Sequence, residues 1–385
     1  MTHPNVAIAE LEQQISAVQW PQLDRKHLTY ADIAPVMDEL AGHAALRVTH
    51  IGASYLGTPI RRLTLGNGPL VVLAWTQMHG DEPTATAAVL DWLQLLLTQQ
   101  LSGLPNDWQQ LLTLHVVPML NPDGAAQRTR QNAQGIDINR DALARQSPEG
   151  RLLWQQVQSL QPTLAFNLHD QNPYYAVGNS AEPATVAFLA PAYHPDKHVD
   201  SARLQAKQMI AHMRQMLSHW LPGGIARYDD SYSERSFGDN IAGTGASTIL
   251  IESGAHRQDP HRQVARRMNV IALQVALEAL FTDAHRNYTL ADYYAIPANT
   301  ADGFCDIKIC QVTIDDGTHA PFQTDICLSR EKGDELLRVE FIGDVRGIHG
   351  FTEYDARQQQ LPELINIGDD ATELVASLKP VQAGL

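Results

Sequence analysis

TQMHGDEPTATAA, Thr76 to Ala88, sets three side chains able to bind a cation, His79, Asp81 and Glu82, directly before a proline and an alanine-rich run. The preceding GPLVVLAWTQ reads as a buried β-strand. ATAAVLDWLQLLL, after it, reads as a helix with Val89, Leu93, Leu96 and Leu97 on one face. Pro83 suits the first helical turn, where its missing N–H would have no partner anyway. The stretch is therefore a strand-to-helix junction that carries polar, metal-capable groups.

Working outward, TLHVVPML, TLAFNL and STILI are further short apolar runs, and the segments between them carry helical periodicity. The apolar positions of Ser201 to Trp220 give one amphipathic helix. Asp259 and Pro260 read as the N-cap and first turn of another that runs to about Leu280. RVTHIGASYLGTPIRRLTLG reads as two strands joined near Gly57 and Pro59. The expected fold class is α/β, with a mixed, mainly parallel central sheet flanked by helices. Residues 1–44 are expected to be a helical segment packed on a main domain at 45–286. Residues 287–385 carry strand alternation and a DDG turn, and are expected to form a small β-rich domain of hairpins closed by a helix near ATELVASL.

A net charge of −15 repels nucleic acid and anionic membrane over most of the surface, so neither is an expected partner. The chain has no run of about 20 apolar residues, and MTHPNVAIAELEQQ lacks the pattern of a signal peptide, so a cytoplasmic protein is expected. Cys305, Cys310 and Cys327 are few and odd in number, which fits reduced thiols better than a disulfide framework.

Three apolar runs end at residues suited to a metal site: His79, His169 and Glu252. Ligands of open α/β sheets bind beyond the carboxyl ends of the strands, so residues this far apart in sequence can converge there. Zinc chemistry uses three protein ligands and one open position, and His79, Glu82 and His169 supply the three. Asp81 competes with Glu82. Glu82 is preferred, because Asp81 would point elsewhere if the segment is still extended. His115, inside a strand, reads as a core or edge residue. Arg128, Arg130, Asn132, Asp137, Asn139 and Arg140 crowd a turn-rich stretch suited either to an anion or to solvent.

HGDE (79–82), NPDG (121–124), RQNAQGIDINR (130–140), NLHD (167–170) and LIES (250–253) together resemble the zinc carboxypeptidase family, in family order, over roughly Val48 to Leu280. The resemblance implies one Zn²⁺ held by His79, Glu82 and His169, with Asp137 orienting the first histidine. It further implies that Arg130 stabilises an oxyanion, that Asn139 and Arg140 hold a terminal carboxylate, and that Glu252 is the catalytic general base. A family tyrosine falls on Tyr228 or Tyr232, and Tyr232 is favoured. The implied function is a metallocarboxypeptidase that removes a C-terminal residue from a peptide by zinc-activated water. The alternative is an amidohydrolase of small N-acyl amino acids, similar to the aspartoacylase and succinylglutamate desuccinylase group. The C-terminal extension and missing secretion signal resemble bacterial intracellular members.

Overall fold

The computed structural model describes residues 4–330 and 336–377. The chain divides into two compact units, Met1–Gln171 with Ala184–Asn299, and Asn172–Pro183 with Thr300–Leu385. The first is built on eight strands: β1 (Leu46–Ala53), β2 (Pro59–Gly66), β3 (Leu70–Thr76), β4 (Leu112–Val117), β5 (Leu164–Asp170), β6 (Val186–Leu189), β7 (Ile225–Arg227) and β8 (Ser247–Ser253). Their order is β1-β2-β4-β3-β5-β8-β6-β7. The four central strands, β4, β3, β5 and β8, run parallel. β1 and β2 pair antiparallel, as does β6 against β8. The expected mixed, mainly parallel sheet is therefore what the chain forms.

The central strands are apolar almost throughout because both faces are covered by helices. Alternation along each strand divides the residues between two layers. Val72, Ala74, Phe166, Ile249 and Ile251 face one core, which also receives α3 (Thr84–Thr98), α6 (Ser201–Leu217) and α8 (Gln263–Thr282). Leu73, Trp75 and Ala165 face the other, which receives α5 (Pro148–Leu160) and the short α7 (Phe237–Ala242). The helices α1 (Pro4–Val18) and α2 (Tyr30–Leu40) supply Ile15, Val18, Ile33 and Val36 to the first core.

One ion pair ties these helices together. Asp91 on α3 and Arg266 on α8 are both about 1% exposed, and meet through Nε–Oδ2 at 2.7 Å and Nη2–Oδ1 at 2.8 Å. The Trp20 amide donates to Asp91 and the Trp20 carbonyl accepts from Arg266, each at 2.9 Å, so the chain after α1 closes the group. Every charge is met by hydrogen bonds, and removal of one partner leaves the other buried and unpaired.

The start of α8 differs from the sequence expectation. Arg262 adopts a left-handed conformation at φ 54°, and the helix begins at Gln263. Asp259 still caps it, accepting from the Gln263 and Val264 amides at 2.8 and 2.7 Å from one loop turn upstream. NPDG opens a short helix, α4 (Pro122–Gln127), which Asn121 caps.

The second unit pairs Phe304–Ile314, Phe322–Arg330 and Leu337–Gly343 as antiparallel neighbours, around Ile309, Val312, Ile326 and Val339. These hairpins follow the alternation in the sequence. The strand His349–Asp355 pairs parallel to Phe304–Ile314, a long-range pairing that local alternation cannot reveal. A helix covers Thr372–Ser377, and the three cysteines are free thiols.

Asp91→Ala is expected to lower stability by about 3–5 kcal/mol, because it strands the Arg266 charge in the core. Urea unfolding of the variant against wild type measures this, and a loss below about 1 kcal/mol would show that the pair does not clamp the helices.

Candidate metal centre

β3 ends at Thr76, and the next residue, Gln77, takes φ 49°, an unfavourable left-handed backbone for a residue with a side chain. Its fully buried amide holds the turn. Nε2 donates to the Leu28 and Gly80 carbonyls at 3.0 and 2.9 Å, and Oε1 accepts from Thr86 Oγ1 at 2.7 Å. The chain then closes a tight turn in which the Glu82 amide donates to the His79 carbonyl at 3.2 Å. His79 and Glu82 thereby face one another at the head of α3. The segment is turned and not extended, so the geometric reason for setting Asp81 aside changes while Glu82 stays in the cluster.

Gly80 is required by close approach. A Cβ there would lie 2.0 Å from the Gly124 carbonyl carbon. Asn121 fastens the same contact, donating to the Met78 carbonyl at 3.2 Å and accepting from the Gly124 amide at 2.9 Å. HGDE and NPDG are thus two faces of one backbone junction.

His169 comes from β5 and stands in register with Glu252 on the parallel strand β8. In-register residues of a parallel pair project to the same face, so both side chains leave the sheet together. Glu82, 3% exposed, receives His79 Nδ1 on Oε1 and His169 Nδ1 on Oε2, each at 2.8 Å. The Asp170 amide donates to Oε2 at 3.2 Å. On the far side of the His79 ring, Nε2 lies 3.2 Å from Asp137 Oδ1. Arg130 Nε donates to Asp137 Oδ2 at 3.0 Å, and its Nη1 lies 3.1 Å from His79 Nδ1. Asn139 Nδ2 is 3.5 Å from His169 Nε2, while its Oδ1 accepts from the Phe237 amide at 2.9 Å.

The charges are strongly perturbed. Burial opposes ionisation of Glu82, yet His79 and His169 outweigh it and hold the carboxyl well below the usual range. Burial also works against a charged His79, but Glu82 and Asp137 raise it, whereas burial dominates at His169 and lowers it. Glu252 goes the other way. Burial, then the charges of Glu82 and Asp170, push its carboxyl well above the usual range. Burial likewise pushes Asp170 up to about 6, although Arg262 opposes the shift.

Three features fit a divalent cation. His79, Glu82 and His169 offer ligand atoms within 4.8 Å of one another, all buried. His79 Nδ1 faces an acceptor, Glu82, and a donor, Arg130, at once, a conflict that its single proton or lone pair cannot resolve but a bound cation would. Glu252 Oε2 is buried with no hydrogen-bond partner among the described residues. Two nitrogens and one carboxylate are a zinc donor set, with room left for a fourth ligand.

Arg140 is exposed beside the site and donates to the Asn139 carbonyl at 2.7 Å. Tyr232 lies half-buried between β7 and α7 and makes no hydrogen bond to these groups among the described residues. Arg128 is exposed, and Asn132 is taken up in the scaffold, donating to Glu149 at 2.9 Å. His115 pairs with Thr64 Oγ1 at 2.9 Å within the sheet. Two residues escaped the sequence reading: Asp170, bound to Thr84 Oγ1 at 2.7 Å, and Arg262, which reaches the Ser253 carbonyl at 2.7 Å and Asp170 at 3.7 Å. Asp170 stands inside NLHD and was legible there as a second buried carboxylate. Nothing local marks Arg262.

Residues 33–188 match the zinc carboxypeptidase family model. Carboxypeptidase SOL1 of Arabidopsis thaliana is 28% identical over 129 residues, which span 31% of this chain and 26% of that protein, about a quarter of its length. The fold is shared with a metallo-carboxypeptidase from Burkholderia cenocepacia, with TM-score 0.51, 18% identity and coverage of 66% of this chain and 70% of that one. Carboxypeptidase A from Helicoverpa armigera gives TM-score 0.54 at 17% identity, covering 72% and 81% respectively.

Metal analysis of the purified protein is expected to find one zinc at this centre, and His169→Ala to lose it while remaining folded. Retention of the ion by that variant would exclude the proposed ligand set. Gly80→Ala is expected to destabilise the junction by more than about 2 kcal/mol, because backbone and not a flexible side chain blocks the added carbon; thermal unfolding tests this.

Proposed function

We propose, from the premise that this chain carries a zinc carboxypeptidase domain, that it is a metallocarboxypeptidase that cleaves the C-terminal amide bond of a peptide. The observation that carries this reading is the register pairing of His169 with Glu252. It sets a buried carboxyl oxygen, with no hydrogen-bond partner among the described residues, beside the three-ligand group. Zinc, when bound, acts as a Lewis acid and lowers the pKa of its water towards about 7.

The chain's own residues do the rest. Glu252 accepts a proton from the attacking water and returns it to the leaving amine, a role that suits a carboxyl held above its usual range by burial. Asp137 fixes the His79 ring through Nε2 and so sets which nitrogen faces inward. Arg130, anchored at Nε by the same Asp137, directs its remaining N–H groups to negative charge developing on the carbonyl oxygen. Its position is set before substrate arrives, so little reorganisation is needed. Asn139 and Arg140 are adjacent, one buried and one exposed, and bind the free carboxylate of the substrate. Tyr232 is assigned to the rim on its place in the chain. The catalytic centre holds one ion, and the site is expected to operate in the cytoplasm without nucleic acid or membrane.

Glu252→Gln is expected to keep its zinc and lose about 10²–10⁴-fold in kcat. Near-normal turnover in the zinc-loaded variant would remove Glu252 from the chemistry. A panel of free peptides, C-terminally amidated peptides and N-acyl amino acids, read by mass spectrometry, separates the activities. Free peptides are expected to be cut and amidated ones spared. Hydrolysis of N-acyl amino acids alone would establish the small-molecule amidohydrolase instead. Arg140→Ala is expected to raise KM for free peptides with a smaller effect on kcat.

A further inference from the structure

A second group of metal-capable side chains lies in HPDKH, His194 to His198, on the loop between β6 and α6. His194, Asp196 and His198 offer ligand atoms within 4.8 Å of one another. His194 Nδ1 and His198 Nε2 stand 3.5 and 3.7 Å from the same oxygen, Asp196 Oδ2. The two rings are almost parallel, 7° apart with centroids at 4.5 Å. Two imidazoles turned onto one carboxylate form a compact donor set.

The loop beneath them is held rigidly. Lys197 takes φ 54°, and its amide closes a turn to the His194 carbonyl at 2.9 Å. Arg203, 3% exposed, donates through Nη1 to the Lys197 and His198 carbonyls at 2.6 and 3.1 Å. The same guanidinium binds Asp230 at 3.0 Å and the Ala190 carbonyl, and Lys197 Nζ reaches Asp230 at 2.8 Å. A buried arginine thus clamps the backbone on either side of the ligands. The ligand side chains themselves remain open to water, at 46%, 72% and 59% exposure. Such a clamp lowers the ordering cost that makes most exposed side-chain clusters poor binders. The Asp196 amide donates to His194 Nδ1 at 3.1 Å, which keeps a lone pair on the ring nitrogen nearest the carboxylate.

We propose that His194, Asp196 and His198 form a second, exposed site for a borderline divalent cation of the zinc type, separate from the buried His79–Glu82–His169 centre. Two imidazole nitrogens and one carboxylate select zinc, nickel or copper over magnesium and calcium, which prefer all-oxygen shells. Three protein ligands leave the remaining positions to water. The ion takes over the lone pair now used by the Asp196 amide. Solvent exposure makes this site the weaker of the two, the last to fill and the first to be stripped by a chelator.

The test is a Zn²⁺ titration of the full chain with its buried centre already loaded, followed by calorimetry and by equilibrium dialysis with metal quantification. Wild type is expected to take up a second ion per chain, and Mg²⁺ none. The double variant His194→Ala/His198→Ala is expected to stop at one ion with its hydrolytic activity intact, and Asp196→Asn to bind the second ion more weakly. His198→Gln keeps a polar side chain on the loop and repeats the loss without disturbing the turn. Saturation of wild type at one ion, or a second ion retained by the double variant, overturns the proposal. Because the buried centre is counted separately, failure of the second site leaves the catalytic reading untouched, and the reverse also holds.

Discussion

The carboxylate of Glu82 is the group around which the rest of the site is arranged. It is 3% exposed, and an unpaired charge at such a depth would be strongly unfavourable. Two histidines and a backbone amide meet it instead, His79 from the β3–α3 junction and His169 with the Asp170 amide from the end of β5. That requirement fixes the relation between the β3–α3 junction and the end of β5. It also leaves His79 Nδ1 between a donor and an acceptor, and Glu252 Oε2 with no partner among the described residues. The first is a group whose bonding a cation would complete.

Those positions depend on rigid supports at a distance from the chemistry. Gln77 holds a left-handed turn through three buried hydrogen bonds, and the Gly80–Gly124 contact leaves no room for a side chain. Asn121 joins the two motifs, linking Met78 to Gly124. On the helical layer behind them, Asp91 and Arg266 bind α3 to α8 and to the chain after α1. The strain and the buried charge at the centre are tolerated because this scaffold over-determines the backbone around it.

Much of this was legible in the residues alone. Apolar runs ending at His79, His169 and Glu252 pointed to strand ends, and the parallel sheet brings those ends together. Local signals misjudged one start. Asp259 caps α8 through its side chain from a loop that continues to Arg262. A side chain there satisfies backbone amides that a local reading assigns to its immediate neighbours. The crowded stretch from Arg128 to Arg140 was ambiguous for a different reason. Its polar residues divide between scaffold and site: Asn132 goes to Glu149, while Arg130, Asp137 and Asn139 turn towards the histidines.

The sequence by itself determined the elements, the order of the strands' polar ends and the donor set, because periodicity and residue chemistry are local properties. It could not determine which face His169 and Glu252 share, nor that Arg262 would reach back to Asp170. It also could not show that a buried Arg203 would clamp the HPDKH loop. Register, burial and long-range hydrogen bonds decide those matters, and they exist only once strands far apart in the chain lie side by side.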